Sequence, residues 1–346
     1  MHPFFQDLSA RFPLIQSPMA GAQDEELAIA VARAGGIGSL PCALSTPEDV
    51  QRAAARFRNA TSGPLNLNFF CHKVTDRDAQ REALWLEQLS EYYEELSLDP
   101  EYPQTEHLHA LDADMVEVVC GIKPAIVSFH FGLPASIHVD RIRATGSKII
   151  ATATTVEEAE LLQRNGCDAV IAQGEEAGGH QGAFLPTKIT SRFSTIDLVR
   201  QVSTSLTIPV IAAGGISDQA EIRAALAAGA SGVQMGTRFL KSEESKITPL
   251  HRRILNGTDD RETTITNIFT GRPARGFVNR LIRDIGPINA NVQTFPLAIS
   301  ALNPLRAATA GSEDFVSMWA GQNWKVGEPK PAAEIVKELA KAFDPA

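Results

Sequence analysis

The chain is short of cysteine, short of positive charge and without any long apolar run, and each shortage excludes something. Its four cysteines, Cys42, Cys71, Cys120 and Cys167, are scattered through 346 residues with no CxxC pair. Disulfide frameworks and zinc ribbons need paired spacings, so the expectation is reduced, buried thiols in a cytoplasmic protein and no metal. Cys71 beside His72 is the one adjacent cysteine–histidine pair, and neighbouring ligands alone are weak evidence for a metal site. With 32 basic against 41 acidic residues the net charge is −9, and no basic cluster stands out, which argues against nucleic acid or an anionic membrane as partner. An anionic ligand would have to be held locally, by backbone amides or a few placed side chains. The opening "MHPFFQDLSARFPLIQSPM" has no basic region followed by an apolar one, so no signal peptide is expected. No stretch approaches the roughly 20 apolar residues of a membrane-spanning helix.

What is present is alternation. Short apolar runs at 14–19, 37–42, 65–70, 125–131, 148–154, 169–174, 209–215 and 232–240 predict eight strands. Helical patterns such as "TPEDVQRAAARF" and "SDQAEIRAALAAGA" separate them. Thr155 with Glu158, and Asp218 with Glu221, have capping-box spacing. "ARAGGIGSL", "QRNGCDAVI" and "LAAGASGVQM" each end a helix at glycine just before a strand, where a left-handed residue makes a tight connection. The pattern predicts an α/β fold, a (β/α)8 TIM barrel with a smaller capping domain built from insertions. The rival, an open doubly wound sheet, carries a glycine fingerprint after its first strand, and "SPMAGAQDEE" has none. The expected organisation is a barrel core over 1–240 with a helical insertion at about 72–106, a capping region over 241–318, and a return to the barrel over 319–346. The amphipathic helix at 76–96 serves either the cap or a dimer contact, so monomer and homodimer both stand.

The glycines cluster late. "AAGGIS", with Gly214 and Gly215, and "QMGTRF", with Met235, Gly236 and Thr237, follow the last two strands, where barrels commonly hold phosphate. The helix opening at "SDQAEI" would add its N-terminal dipole. Asn68, Gln173 and Gln234 fall at or near strand ends. A buried amide without partners costs about 1–3 kcal/mol, so the three either bond neighbouring backbone or form a rim for a planar heterocycle. His180 sits in the loop "GEEAGGHQGAF" beside Gly178 and Gly179, and His130 sits in "VSFHFGLP"; strand C-terminal ends deliver both to a barrel active site. A structural role is the bland reading of each. His180 is the better catalytic candidate, because an imidazole in a glycine-rich loop can lean over a flat cofactor and exchange a proton near neutrality. His107 and His109 read as surface residues.

"IQSPMAG", "LNFFCH", "VSFHFGLP", "EEAGGHQG", "IAAGGI" and "QMGTRF" resemble, in that order, the blocks of the nitronate monooxygenase (2-nitropropane dioxygenase) family, bacterial class I type. The resemblance runs from about residue 13 to "MWAGQN" near 323. It implies non-covalent FMN and oxidation of alkyl nitronates, propionate 3-nitronate foremost, by O2 to a carbonyl compound and nitrite through a flavin semiquinone, in detoxification. It implies FMN contacts from Met19, Ala20, Asn68, Gln173, Gly178, Gly179, Gly214, Gly215, Gln234, Met235, Gly236 and Thr237, with His180 catalytic and His130 facing substrate. Gln181 replaces the arginine common beside the histidine, and Arg272 or Arg275 of "TGRPARG" is left to supply a charge or anchor a loop. Two other functions compete: an FMN-dependent reductase of quinones or enoyl thioesters using NAD(P)H, and a non-catalytic flavin-binding protein.

Overall fold

The eight expected strands form the wall of a barrel. The computed structural model describes residues 1–73, 76–100, 111–186 and 192–344. Its strands in chain order are β1 (Leu14–Gln16), β2 (Gly38–Pro41), β3 (Leu65–Phe70), β4 (Ile126–His130), β5 (Lys148–Ala153), β6 (Ala169–Gln173), β7 (Gly179–His180), β8 (Val210–Ala213), β9 (Gly232–Met235), β10 (Thr263–Thr266) and β11 (Ala274–Phe277). Eight of them pair in parallel in the order β1-β9-β8-β6-β5-β4-β3-β2. A parallel bridge between Ile15 and Ile37 joins the two ends. The remaining three, β10-β11-β7, make a small antiparallel sheet outside the wall.

Side chains alternate across the wall, as a strand requires. Ile15, Ile37, Ile126, Ile150, Ile171 and Ile211 meet inside it, and the N-terminal helix Pro3–Asp7 adds Phe4 and Phe5 to the same cluster. Phe5 is fully buried against β9, where a Cβ on Gly232 would stand 2.4 Å from the ring. The opposite parity, Leu14, Leu67, Val127, Ile149, Val170 and Val233, packs in the layer shared with the helices. Gly35, Gly166 and Gly229 have φ of 99°, 85° and 112°, so the three glycine-ended helices do turn through the left-handed region.

Seven of the eight strands are shorter than their apolar runs, β1, β8 and β9 by three residues or more. β1 ends at Gln16 because Pro18 has no N–H to continue the ladder, and Ser17 N donates the last bond to Met235 O at 2.8 Å. β9 therefore stops at Met235, and Thr237–Leu240 is a helical turn. The capping box forms fully at Asp218–Glu221. At Thr155 the cap hydroxyl accepts from Glu158 N, while the Glu158 carboxylate turns to Thr154, Phe184 and Leu185 instead.

A second core lies apart from the barrel. Trp85, Leu89, Tyr92 and Tyr93 of the helix Ala79–Glu95 pack with Ile268, Phe269, Leu281, Ile282 and Phe315, and Tyr93 donates its hydroxyl to Ala301 O at 2.7 Å. The apolar face of that helix is thus covered by its own chain. The last helix, Ala332–Ala340, buries Ile335, Val336 and Leu339 in the barrel's outer layer. His107 and His109 lie outside the described residues. Among the described residues no helix is long and apolar enough to cross a membrane. All four cysteines are free.

Candidate active site at the barrel mouth

The inward face of the wall changes character along its length. Ile126 gives way, four residues on, to His130; Ile150 to Thr152 and Ile171 to Gln173, two residues on. Asn68, Ser128 and Gln234 occupy corresponding inward positions. The C-terminal end of the barrel is therefore lined by hydrogen-bonding groups. Several already serve one another. Asn68 Nδ2 donates to Ser128 Oγ at 2.9 Å and to Ser128 O at 3.2 Å. Gln173 Nε2 donates to His180 O at 3.0 Å, and Gln173 Oε1 accepts from Gly182 N at 2.7 Å. Gln173 thus clamps the loop that carries His180.

That loop is not a free connection. Gly179 and His180 form β7 and pair with Arg275 and Ala274 of β11, while Gln181 N donates to Pro273 O at 2.8 Å. His180 is held from two sides, by the barrel and by the second sheet. His130 Nε2 lies 3.2 Å from His180 O, and its Nδ1 lies 3.1 Å from Thr152 Oγ1. A carbonyl only accepts, so His130 carries its proton on Nε2 and accepts a hydrogen bond from the Thr152 hydroxyl at Nδ1. His180 Nε2 lies 3.0 Å from Thr270 Oγ1, and the Thr270 hydroxyl in turn donates to Arg272 O at 3.3 Å. With the hydroxyl proton directed there, His180 donates from Nε2 and keeps the lone pair on Nδ1. Burial, with the Arg272 charge nearby, pushes His130 down to about 4. Burial, then His130 and Arg272, pushes His180 down to about 3. Both rings are neutral at physiological pH.

Aromatic rings enclose the pair. His180 is 5.4 Å from Phe295, 5.5 Å from Trp319, 6.0 Å from Phe131 and 6.3 Å from Phe70, centroid to centroid. Phe131 has a left-handed backbone, φ 69°, which costs a side-chain-bearing residue roughly 1–2 kcal/mol. It sits 4.6 Å from His130 and 5.0 Å from Phe70. The Arg272 guanidinium lies 4.2 Å over the Phe131 ring, in cation–π range.

The glycines beside this enclosure divide into two kinds. A Cβ on Gly178 would strike Gly321 N at 2.5 Å, and one on Gly214 would strike Thr195 Oγ1 at 2.8 Å; these two make room for the protein's own atoms. Gly179, at φ +75°, has nothing within 4 Å of a Cβ, and the nearest atom at Gly236 is Ser17 Cβ at 3.4 Å. Gln234 Oε1 is buried with no hydrogen-bond partner, an acceptor waiting for a donor. Open space at glycine and an orphaned amide oxygen suit a flat polar ligand with donor edges.

A sequence profile settles the family: that of the nitronate monooxygenases matches residues 2–342. The chain belongs to the nitronate monooxygenase family. It is an enzyme, a flavin-dependent oxidoreductase. A nitronate monooxygenase of Pseudomonas aeruginosa is 38% identical over 98% of this chain and 98% of its own length. One of Paraburkholderia phytofirmans is 38% identical over 95% of this chain and 91% of its own. Among solved structures, nitroalkane oxidase from Streptomyces ansochromogenes matches with a TM-score of 0.87 and 35% identity, covering 98% of this chain and 99% of that one. FabK from Thermotoga maritima matches with a TM-score of 0.73 and 28% identity, covering 99% and 96%.

For a nitronate monooxygenase the mouth brings together most of the residues singled out above. Met19 N is held by Gln23 Oε1 at 2.9 Å, and Ala20 is exposed beside it. Met235 is different: its side chain is buried in the outer layer, so only its backbone is left for the mouth. Thr237 Oγ1 accepts from Gly321 N at 2.9 Å, and Asn323 Nδ2 donates to Gly215 O at 2.7 Å, so the "AGQN" segment stitches the late glycine loops together. The helix at Gln219 spends its N-terminus on Asp218 and Glu221, and those carboxylates offset the dipole expected to draw an anion. Gln181 is buried, with Nε2 directed to Ala177 O, while Arg275 donates to Glu175 O and Thr263 O. Arg272 is the cation beside the histidines. Thr152, Thr270, Phe295 and Trp319 escaped the sequence reading. Thr152 was signalled by its inward parity after Ile150; the others come from segments 90 or more residues beyond His180 and carried no local signal.

Proposed function

We propose that this enzyme holds FMN non-covalently in the barrel mouth and oxidises alkyl nitronates, propionate 3-nitronate foremost, with O2 to a carbonyl compound and nitrite, as a cytoplasmic detoxifying activity. The observation that carries the reading is His180, a neutral imidazole braced between barrel and second sheet inside an aromatic enclosure. Gly179, Gly215, Gly236, Thr237, Asn68, Gln173 and Gln234 would hold the cofactor, with the orphaned Gln234 oxygen free to accept from it. Met19, Ala20 and the Met235 backbone would line it, and Gly178 and Gly214 would shape the loops behind. Flavin held there would supply the redox chemistry that the side chains lack.

The rest is done by this chain. Phe70, Phe131, Phe295 and Trp319 exclude water from the reacting carbon. His130, its proton on Nε2, fixes the His180 carbonyl and with it the height of the imidazole over the mouth. An alkyl nitronate has already lost its acidic α-proton, so His180 is a contact that positions substrate rather than a base upon it, with Thr270 steadying Nε2. The segment 241–318 acts as a cap over a barrel core of 1–240, with 319–346 returning to the barrel: Thr270, Arg272 and Phe295 are its contributions to the enclosure.

The test is oxygen uptake by the purified holoenzyme with propionate 3-nitronate, run beside NADH, with the released chromophore identified by mass. Rapid uptake with nitronate, none with NADH, and a chromophore of FMN mass are expected. Uptake with NADH alone would make the enzyme a reductase instead.

A further inference from the structure

Among the described residues Arg272 is the only arginine or lysine whose charged group lies against the rings of the histidine enclosure, and it forms no ion pair there. One guanidinium N–H, on Nη1, donates to Ala183 O at 2.9 Å. The group lies 4.2 Å over Phe131 and 5.8 Å from Phe295, the two rings that also contact His180. The carboxylate whose charge bears on it is that of Glu158. That carboxylate is fully buried and accepts from four other donors: Thr154 N, Thr154 Oγ1, Phe184 N and Leu185 N. It forms no ion pair with Arg272. Burial lowers the Arg272 pKa, yet an arginine keeps its proton. The two histidines are neutral, so the enclosure carries a net positive charge from one fixed source. Phe131, whose backbone is left-handed, has its ring beneath that source.

A planar cation with donors to spare, half-buried and unpaired, matches an anion with two coplanar oxygens. We propose that Arg272 is the specificity-determining residue that binds the anionic oxygens of substrate, so that the site selects ionised nitronates over neutral nitroalkanes. This rests on the reading of the site as one that turns over nitronates. The oxygens belong either to the nitronate group or to a carboxylate further along the substrate, and both meet the guanidinium by the same chemistry. Gln181, buried toward Ala177, leaves that task to Arg272.

The experiment compares holoenzyme with Arg272→Met and Arg272→Lys, each checked for flavin content and melting temperature. Steady-state oxygen uptake is measured with ethyl nitronate and with propionate 3-nitronate. Nitrate, a planar unreactive anion, and neutral nitroethane are titrated separately as ligands by the change in flavin absorbance. Losing a charge-assisted contact predicts a rise in KM for nitronate and in Kd for nitrate of about 10- to 100-fold in Arg272→Met, with kcat falling much less. Arg272→Lys should recover part of both, and the Kd of nitroethane should move less than about threefold. A KM effect on both nitronates assigns Arg272 to the nitronate group; an effect on propionate 3-nitronate alone assigns it to the carboxylate. Equal weakening of nitrate and nitroethane, or a nitrate Kd within twofold of wild type, would overturn the proposal. Failure of wild type to oxidise any nitronate would sink the reading of function, while the nitrate titration would still judge Arg272.

Discussion

The two ends of the barrel interior come from the same strands and could hardly differ more. At the N-terminal end, Ile15, Ile37, Ile126, Ile150, Ile171 and Ile211 close on Phe4 and Phe5, and the buried amide in register with them, Asn66 beside Ile126, donates to Ser39 Oγ at 3.0 Å. At the C-terminal end the same inward parity delivers Asn68, Ser128, His130, Thr152, Gln173 and Gln234, bonded to each other, to the His180 loop, or to nothing yet. One end removes apolar surface from water and holds the fold together. The other keeps polar groups at the cost of their desolvation, which is tolerable only where partners or ligand satisfy them. Stability and chemistry are thus separated along the strand axis by a step of two to four residues.

That separation can be broken from either end. The largest expected effect is at the mouth: His180→Asn should cut nitronate turnover by about 10²-fold through lost positioning of substrate while flavin content and melting temperature hold. Unchanged turnover would remove the imidazole from the chemistry. At the sealed end, Phe5→Ala should cost about 3–5 kcal/mol of stability by opening a cavity, read by urea unfolding, with kcat per folded, flavin-loaded molecule staying within twofold. A large kcat loss there would mean that the ends are coupled. Thr270→Val should lower kcat about tenfold by releasing the His180 tautomer and leave KM nearly unchanged, and Thr270→Ser should restore it. If serine fails to rescue, the threonine is packing rather than positioning.

The smallest effect is on pH. His130 and His180 have folded values near 4 and 3 because burial disfavours their charged forms, against about 6.5 when unfolded. Between pH 6.5 and 4 the unfolded chain binds more protons than the native one, so stability rises with pH across that window. It should be whole above about pH 6.5 and fall as the solution is acidified toward pH 4, by on the order of 1–3 kcal/mol in total, since both rings keep some contact with water. The midpoint in urea measured from pH 7.5 to 4.5 checks this; a flat profile down to pH 5 would show the rings hydrated at the mouth.

Much of this architecture is legible in the amino-acid sequence. Eight apolar runs alternating with capped, glycine-ended helices gave the barrel, because each signal is local: strand and helix periods, the Asp218–Glu221 cap, and the left-handed Gly35, Gly166 and Gly229. Ordered motif blocks gave the family. The places where the runs overshot, after Gln16 and after Met235, were signalled too, by Pro18 and Gly236, but only the pairing of β1 with β9 shows why both strands stop together.

By itself, then, the amino-acid sequence pointed to the residues at the barrel mouth, His130, Asn68, Gln173 and Gln234 at or near strand ends and His180 in the loop after β6, because backbone period and strand polarity are local properties. Tertiary structure alone decided what each does there. It fastened the His180 loop to β11, set Thr270 against its ring, turned Gln181 inward and left Arg272 as the site's cation. It also showed that Gly178 and Gly214 make room for the chain's own atoms, whereas Gly179 opens onto space. These outcomes depend on contacts between segments up to about a hundred or more residues apart, and no local rule of period, cap or turn encodes such a meeting.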